Sequence, residues 1–473
     1  MTAPVYQTVI LGGGFTGLFT ALHLAHQGYP RSVILIDRHD RFCFKPLLYE
    51  YFSGEMEADQ VVPRYEELLQ DSGVIFARDS VESIDLPGRR ARLVGGDEYN
   101  YSNLVLALGS VTGYFGVEGA KENALPFRTR EDAIEIDRQL RDRLQRAIFQ
   151  RDPQQRRRLL TAVVIGGGPS GVEMAATLAD FLPPWYGAIG GNPEEIRVVL
   201  VNHGEILEGD INSELRETAI EALRERTVPV EVITGAKVTA VHPDSLEYER
   251  DDRTEILPAG TMIWTTGTST HPLIRSLAIP KEHRDRQGRL TVTPTLQLPD
   301  FPEVFAGGDL AVAYPPESHN GEESEPEETQ HPDNDGHNEK PLPPTAQVAY
   351  QQGAAIARNL RAIALGQELQ PARVNLRGTL LKLGLNNAVV NLFNSIEIAG
   401  EPGHLIRQGT YLELLPTPLH NFKATTEWLR DEVIERHHPD VIKRAVQVAA
   451  VAGGVLVGAA IARRVARSLS DDR

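Results

Sequence analysis

The apolar positions of the first forty residues change period twice. Thr8 to Leu11 is a short continuous run that ends on the glycines of GGGFTG; Leu18 to Gln27 follows with helical spacing, and Val33 to Ile36 is a second run closed by Asp37. This order predicts a βαβ unit. Gly12 permits the tight turn, Gly14 lets the backbone approach a pyrophosphate, and Gly17 lets helix and strand pack closely. The first helical turn then offers unpaired N–H groups to phosphate charge. Asp37 stands 20 residues after Gly17, where a carboxylate accepts hydrogen bonds from ribose hydroxyls. The plainer alternative is a Gly-rich turn in an unliganded α/β domain.

The same pattern occurs again. After a charge-laden helical stretch from Glu131 to Arg158, Ala162 to Ile165 leads into GGGPSG, and a helix is predicted from Val172 to Phe181. Gly166, Gly168 and Gly171 take the three glycine roles of a second dinucleotide site. The two patterns start 154 residues apart, and each has a later strand that closes on glycine, at Gly109 in LVLALG and at Gly267 in TMIWTTG. That spacing predicts an α/β fold with two Rossmann-like dinucleotide-binding domains, one inserted in the other. A third marker, VFAGGDLA, reads as a strand, a turn at Gly307 and Gly308, and a helix start, which would set Asp309 beside a ribityl-phosphate. A solvated turn aspartate is the simpler reading of Asp309 taken alone.

Composition narrows the function. At 473 residues the chain has length for two or three cores, and 41% hydrophobic with 24% charged residues is ordinary for a globular protein. Lys and Arg total 48 against 65 Asp and Glu, and the net charge of -17 removes the basic footprint of nucleic-acid binding. The single cysteine, Cys43, excludes an intrachain disulfide framework, a Cys-rich zinc site and a redox-active cysteine pair. The N-terminus runs into the first strand without the features of a signal or transit peptide, so a reducing compartment, most simply a bacterial cytoplasm, is expected, with a plastid protein whose transit peptide has been trimmed as the alternative.

These motifs resemble the flavoprotein reductases that hold FAD in a first dinucleotide domain and NAD(P)H in a second. Disulfide reductases and sulfide:quinone reductases in that superfamily work through more than one cysteine, which this chain lacks. FCFKPLLYE (Phe42 to Glu50), GGGPSGVE (ending at Glu173) and AQVAYQQG (Ala346 to Gly353) resemble the type II NAD(P)H:quinone oxidoreductases, whose AQxAxQQ segment lies by the flavin and quinone. FKPLLYE, SGE and VVPRYEELL are most similar to the cyanobacterial and chloroplast branch, associated with demethylphylloquinone reduction in phylloquinone biosynthesis.

The resemblance implies FAD as cofactor, NADPH or NADH as electron donor and a lipid quinone as acceptor. It places Glu173 toward the nicotinamide and quinone, where it would relay protons; an ordinary first-turn helix glutamate is the alternative. Gln347 and Gln351, four apart on one helical face, would turn their amides to the quinone carbonyl or flavin, with a polar helix surface as the alternative. Ala346 lies in the same segment. Lys45 and Pro46 would shape the flavin pocket, with Lys45 near developing flavin charge or simply on the surface.

Three features are particular to this chain. RVVLVN ends in Asn202 where many NADH-using relatives carry an acid, which favours NADPH. Glu317 to Lys340 contains nine acids and one lysine and reads as a disordered loop; its histidines lack ligand spacing, so no metal is assigned. Ala445 to Ala462 is an apolar stretch rich in Ala, Val and Gly between basic flanks, which predicts peripheral attachment to a membrane, with helix pairing as the competing use. Gly378 to Val390 resembles the membrane-facing or homodimer-forming region of the family, with core packing as its alternative.

The expected domains are an FAD domain from 1–125 and 276–360, a helical connection at 126–160 and an NAD(P)H domain at 161–275. A C-terminal membrane or dimer region at 361–425 and a tail at 426–473 complete the chain. The expected protein is a peripheral enzyme on the cytoplasmic side of a cyanobacterial thylakoid or plasma membrane. A respiratory NADH dehydrogenase reducing plastoquinone or ubiquinone, and a slow-turnover flavin redox sensor, are the competing readings.

Overall fold

The computed structural model describes residues 5–209, 211–315, 340–376, 378–392 and 396–417. The expected acidic loop, apart from Lys340, and the apolar tail segment lie outside them. The chain divides into two compact units. Among the described residues, the first draws on those up to Pro46, on Val61–Gly113 and on Gly267–Leu376; the second on Leu47–Gln60, on Tyr114–Thr266 and on those from 378 to 417.

The first unit is built on an eight-stranded sheet. Val5–Leu11 runs at its centre, parallel to Val33–Asp37 on one side and to Glu98–Leu106 on the other. Phe301–Ala306 continues the sheet beyond Glu98–Leu106, and Ile75–Arg78 continues it beyond Val33–Asp37. Val9, Ile10 and Leu11 are fully buried, as parallel strands covered on both faces require. The helix Phe15–His26 buries Leu18, Ala21 and Leu24 against this sheet. The helix Ala346–Leu365 packs on it in turn, and Gly353 is the reason that it can come close: a Cβ there would lie 2.6 Å from the Thr16 carbonyl oxygen. Thr20 Oγ1 donates to the Gly353 carbonyl at 3.2 Å, which ties the two helices together.

The second unit has a five-stranded parallel sheet in the order Val230–Ile233, Arg197–Val201, Thr161–Ile165, Thr261–Trp264, Leu125–Pro126. The helix Pro169–Ala188 follows the second glycine loop, and nearly every residue from Gly171 to Pro183 is buried. The helix Arg130–Phe149 begins at a capping box in which Thr129 and Asp132 satisfy each other's backbone N–H groups. An antiparallel sheet of Gly378–Lys382, Ala388–Leu392 and Ile396–Ala399, followed by the helix Gly400–Glu413, completes this unit.

The apolar residues of that last sheet go into a core. Leu381, Leu383, Val389 and Val390 are at most 1% exposed, so these residues of the stretch Gly378 to Val390 pack into a core. Asp180 anchors the same segment by accepting the Leu385 N–H at 2.9 Å while Arg226 lies at 3.1 Å. Among the described residues no helix is long and apolar enough to cross a membrane.

Candidate active site

In the first unit, the predicted dinucleotide residues meet at the carboxyl edge of the sheet. Gly12 has φ +101°, and a Cβ on it would stand 2.4 Å from the Ala107 carbonyl oxygen; one on Gly17 would stand 1.8 Å from that of Gly12. Only glycine fits either position. Gly14 is different: a Cβ there would meet nothing within 4 Å, and no side chain caps the Phe15–His26 helix that it starts. The first turn therefore has room beside Gly14 and no side-chain cap, which suits a pyrophosphate. Asp37 Oδ2 accepts the Gly13 N–H at 2.7 Å and Oδ1 accepts the His39 N–H at 2.8 Å, so the acid shapes the glycine loop. The Tyr65 hydroxyl donates to the Gly13 carbonyl at 2.8 Å, and burial with the nearby Asp37 carboxylate holds that phenol protonated.

Gly109 is left-handed at φ +65°, and the next residue, Ser110, donates to Asp309 Oδ2 at 2.7 Å. Asp309 is thus tied across the ends of two neighbouring strands. Lys45 is exposed and Pro46 half-buried on the short 3₁₀ turn Lys45–Leu47. Ala346 and Gln347 are half-buried at the start of the Ala346–Leu365 helix, which Thr345 caps. Gln351 Nε2 donates to the carbonyls of Gln347 and Asn375, and Oε1 accepts the Asn375 N–H, so its amide holds the chain around Asn375. The informative glutamine is its neighbour. Gln352 is 2% exposed, and its Oε1 accepts the Gly308 N–H at 2.7 Å, which sets the turn that presents Asp309.

The second unit repeats the geometry. Gly166 has φ +113°, and a Cβ on Gly171 would stand 1.7 Å from the Gly166 carbonyl oxygen. Gly168 caps the Pro169–Ala188 helix without a side-chain hydrogen bond. Asn202 Oδ1 accepts the Gly167 N–H at 2.9 Å, the place that Asp37 takes in the first unit, and Nδ2 donates to the carbonyls of Gly204 and Glu205. The strand Thr261–Trp264 runs on through Thr265, whose hydroxyl donates to the Ile165 carbonyl, toward Gly267 at φ +70°.

Within the second unit lies a buried cluster of charges that sequence reasoning located only at Glu173. Glu50, on the helix Leu48–Ser53, is fully buried. Arg407, on Gly400–Glu413, forms an ion pair with Glu50 through Nη1 and lies 3.4 Å from Glu173 Oε1 through Nη2. Lys382, also fully buried, donates its backbone N–H to Glu173 Oε1 at 2.9 Å; its ammonium lies 3.3 Å from Glu50 and pairs with Glu55. His404 Nε2 is 3.8 Å from Glu55 Oε1. Tyr411 has its ring 5.0 Å from the Arg407 guanidinium, and the Tyr49 hydroxyl donates to the Ser170 carbonyl.

Burial splits the two central carboxyl groups. It would push Glu50 up, but the Arg407 and Lys382 charges overcome it and hold Glu50 down at about 2. Glu173 is pushed up to about 6 by burial, which Arg407 and the Lys382 N–H only partly offset. Two carboxyls with environments that pull their proton affinities apart are the arrangement from which acid–base roles are read. The sequence signal for the missed members is a lone charge inside an apolar run, Lys382 in GTLLKLGL and Glu50 in LLYEYF. Such a charge is tolerated in a core only with a partner.

The two repeated glycine-loop sheets define a flavoprotein reductase with two dinucleotide-binding folds, and the comparisons agree. Residues 6–353 match the family Pyridine nucleotide-disulphide oxidoreductase. The chain is 32% identical over 437 residues to the Demethylphylloquinone reductase NdbB of Synechocystis sp., covering 91% of this chain and 97% of that protein. It is 26% identical to the Type II NADH:quinone oxidoreductase of Staphylococcus aureus, over 85% of this chain and 93% of that one. The solved structure of NDH2 from Plasmodium falciparum in complex with NADH shares the fold, with a TM-score of 0.77 at 19% identity, over 90% of this chain and 98% of that one. The chain belongs to the type II NAD(P)H:quinone oxidoreductases and is an NAD(P)H:quinone oxidoreductase.

Proposed function

We propose that the enzyme passes two electrons from NADPH, or from NADH, through FAD to a membrane naphthoquinone, with demethylphylloquinone of phylloquinone biosynthesis as the favoured acceptor. The kinship with the Synechocystis reductase over nearly the whole of both chains carries this choice. Gly12, Gly14 and Gly17 hold the FAD pyrophosphate, Asp37 its ribose and Asp309 its ribityl-phosphate, with Gly109, Lys45, Pro46, Ala346 and Gln347 around the ring system. Bound FAD supplies the exchange of a hydride for two electrons that the protein's own groups lack. Gly166, Gly168 and Gly171 hold the nicotinamide dinucleotide, with Asn202 at its adenosine ribose and Gly267 ending the adjacent strand.

A quinone that takes up two electrons needs two protons. Glu173 supplies one of them: its carboxyl is buried but not sealed, 11% exposed, and both of its described contacts fall on Oε1. Protonated below about pH 6, it is poised close to neutrality for donation to a quinol oxygen. NADPH preference rests on Asn202, which fills the position of the ribose-binding acid without its charge. The basic-flanked segment Ala445 to Ala462 holds the enzyme peripherally on the cytoplasmic side of a thylakoid or plasma membrane, where its quinone resides.

A respiratory role, with NADH as donor and plastoquinone or ubiquinone as acceptor, is the second reading. It is favoured by the two acids that follow Asn202, Glu205 and Glu208, of which Glu208 folds back to accept the Glu205 N–H at 3.3 Å. The test is steady-state oxidation of NADPH and NADH side by side by the FAD-loaded protein, with a demethylnaphthoquinone, plastoquinone or no quinone. Fast NADPH oxidation with the demethylnaphthoquinone is expected. NADH preference with plastoquinone would establish the respiratory reading, and flavin reduction without turnover on either quinone would overturn both in favour of a redox sensor.

A further inference from the structure

The buried cluster sets three carboxyl groups, Glu50, Glu55 and Glu173, against two basic side chains, Lys382 and Arg407, with His404 at its edge. Arg407 is 1% exposed and Glu50 is not exposed at all, so neither charge is screened by water. Taking such groups out of water costs several kcal/mol per ion, on the order of what a whole domain's net stability provides. Tying helices together does not require it, because apolar residues of the same volume would do as well or better. The arrangement is specific in another respect: one guanidinium reaches two carboxylates at once, Glu50 by Nη1 and Glu173 by Nη2.

Resting on the proton-donor reading of Glu173 given above, we propose that Arg407 and Glu50 are a positioning pair for that residue. Arg407 divides its positive charge between Glu50 and Glu173, and this division sets the orientation of the Glu173 carboxyl and how firmly it holds its proton. Glu50 acts as a competitor. A fully ionised Glu50 draws on the guanidinium and so leaves Glu173 only part of the counter-charge. The other groups facing Glu173 are accounted for: Lys382, through its N–H and its ammonium, and the phenols of Tyr49 and Tyr411, both kept protonated mainly by burial. Glu55 and His404 lie one step further out, on the far side of the Lys382 ammonium. Removal of Arg407 therefore makes Glu173 hold its proton more firmly, whereas removal of the Glu50 charge gives Glu173 the whole guanidinium and makes it hold the proton less firmly.

The experiment is a pH titration of the FAD-loaded full chain by infrared difference spectroscopy, following the carboxylic C=O band that Glu173→Gln abolishes. The pH profile of quinone turnover is recorded in parallel. In Arg407→Gln the midpoint is expected to rise, with proton affinity up about tenfold or more; in Glu50→Gln it is expected to fall; Arg407→Lys is expected to restore the midpoint partway. Arg407 acts on Glu173 more strongly than Glu50 does, so the double variant Glu50→Gln/Arg407→Gln is expected to show a rise smaller than that of Arg407→Gln. The double variant leaves neither partner as a lone buried charge and keeps the test open should a single variant not fold.

Shifts of the same sign in the two single variants, or an unmoved midpoint in the double variant, would overturn the proposal and leave the pair a structural tie. Quinone turnover and a pH profile unchanged in Glu173→Gln would instead overturn the proton-donor reading. The infrared midpoints, which do not depend on turnover, would still decide whether Arg407 and Glu50 govern Glu173.

Discussion

Asn202 accepts the Gly167 N–H through Oδ1 at 2.9 Å while its Nδ2 holds the carbonyls of Gly204 and Glu205. An aspartate there keeps the first bond and loses the other two, and it sets a carboxylate against two carbonyl oxygens. Asn202→Asp is therefore expected to shift the ratio of kcat/KM for NADH over NADPH upward by about tenfold, the scale of one charge contact at a ribose 2′-phosphate. It is also expected to cost about 1–3 kcal/mol of stability through the unpaired carbonyls and the repulsion. Steady-state kinetics with both donors and a urea melt measure the two effects; an unchanged donor ratio would remove Asn202 as the discriminator.

Glu173→Gln keeps the shape of the side chain and removes its acidic proton. Quinone-dependent turnover is expected to fall by about 10²–10⁴, the usual yield of general acid–base catalysis, while stoichiometric reduction of the flavin by NADPH in a stopped-flow mixer is unaffected. Wild-type turnover is expected to decline as pH rises through about 6, because the donating form is the protonated one, and the variant is expected to lack that limb.

The same two carboxyls leave opposite marks on stability. Glu173 holds its proton more tightly folded than unfolded, so its contribution is complete below its ordinary value of 4.5 and is lost as pH rises through about 6. Glu50 holds its proton less tightly folded, so its contribution is complete above 4.5 and is lost as pH falls toward about 2. Urea midpoints of wild type and Glu173→Gln are expected to differ by an amount that changes between pH 4.5 and about 6 and is flat above that range.

Two adjacent glutamines separate cofactor support from loop support. Gln352→Leu leaves the Gly308 N–H without its buried acceptor, at a cost of about 1–3 kcal/mol, and is expected to weaken FAD retention by releasing the turn that carries Asp309. Gln351→Leu frees only the chain around Asn375 and is expected to leave FAD retention within about twofold of wild type, a loss under about 0.5 kcal/mol. Flavin content after gel filtration at low FAD compares them.

Gly353→Val is the packing test. Its Cβ would lie 2.6 Å from the Thr16 carbonyl oxygen and 3.2 Å from the Phe19 Cβ, and a backbone carbonyl cannot swing aside. The helices Phe15–His26 and Ala346–Leu365 would be forced apart, with an expected loss of about 2–4 kcal/mol or failure to fold, read as a lowered Tm.

Both glycine loops, the strands that enter them and Asp37 were legible in the chain itself, because a strand, a tight turn and a helix N-terminus are encoded within some thirty consecutive residues. The lone Cys43 likewise removed cysteine-pair chemistry by count alone, and the asparagine at position 202 was readable as the end of a strand. Gln351 and Gln352 show where local pattern ends. Both lie in the recognised AQVAYQQG segment, but which one reaches the Gly308 turn depends on the face that Gly353 allows against a helix more than 300 residues earlier in the chain. The charged cluster is further out of reach: Glu50 and Arg407 stand 357 residues apart, and a charge in an apolar run does not say which residue is its partner. A buried charge is stable only beside its partner, and which residues become partners is settled when the C-terminal sheet and helix fold onto the Pro169–Ala188 helix. Sequence thus determined the glycine-loop geometry, which is local and backbone-borne, and tertiary structure decided the charged cluster, which depends on side chains that only packing brings out of water together.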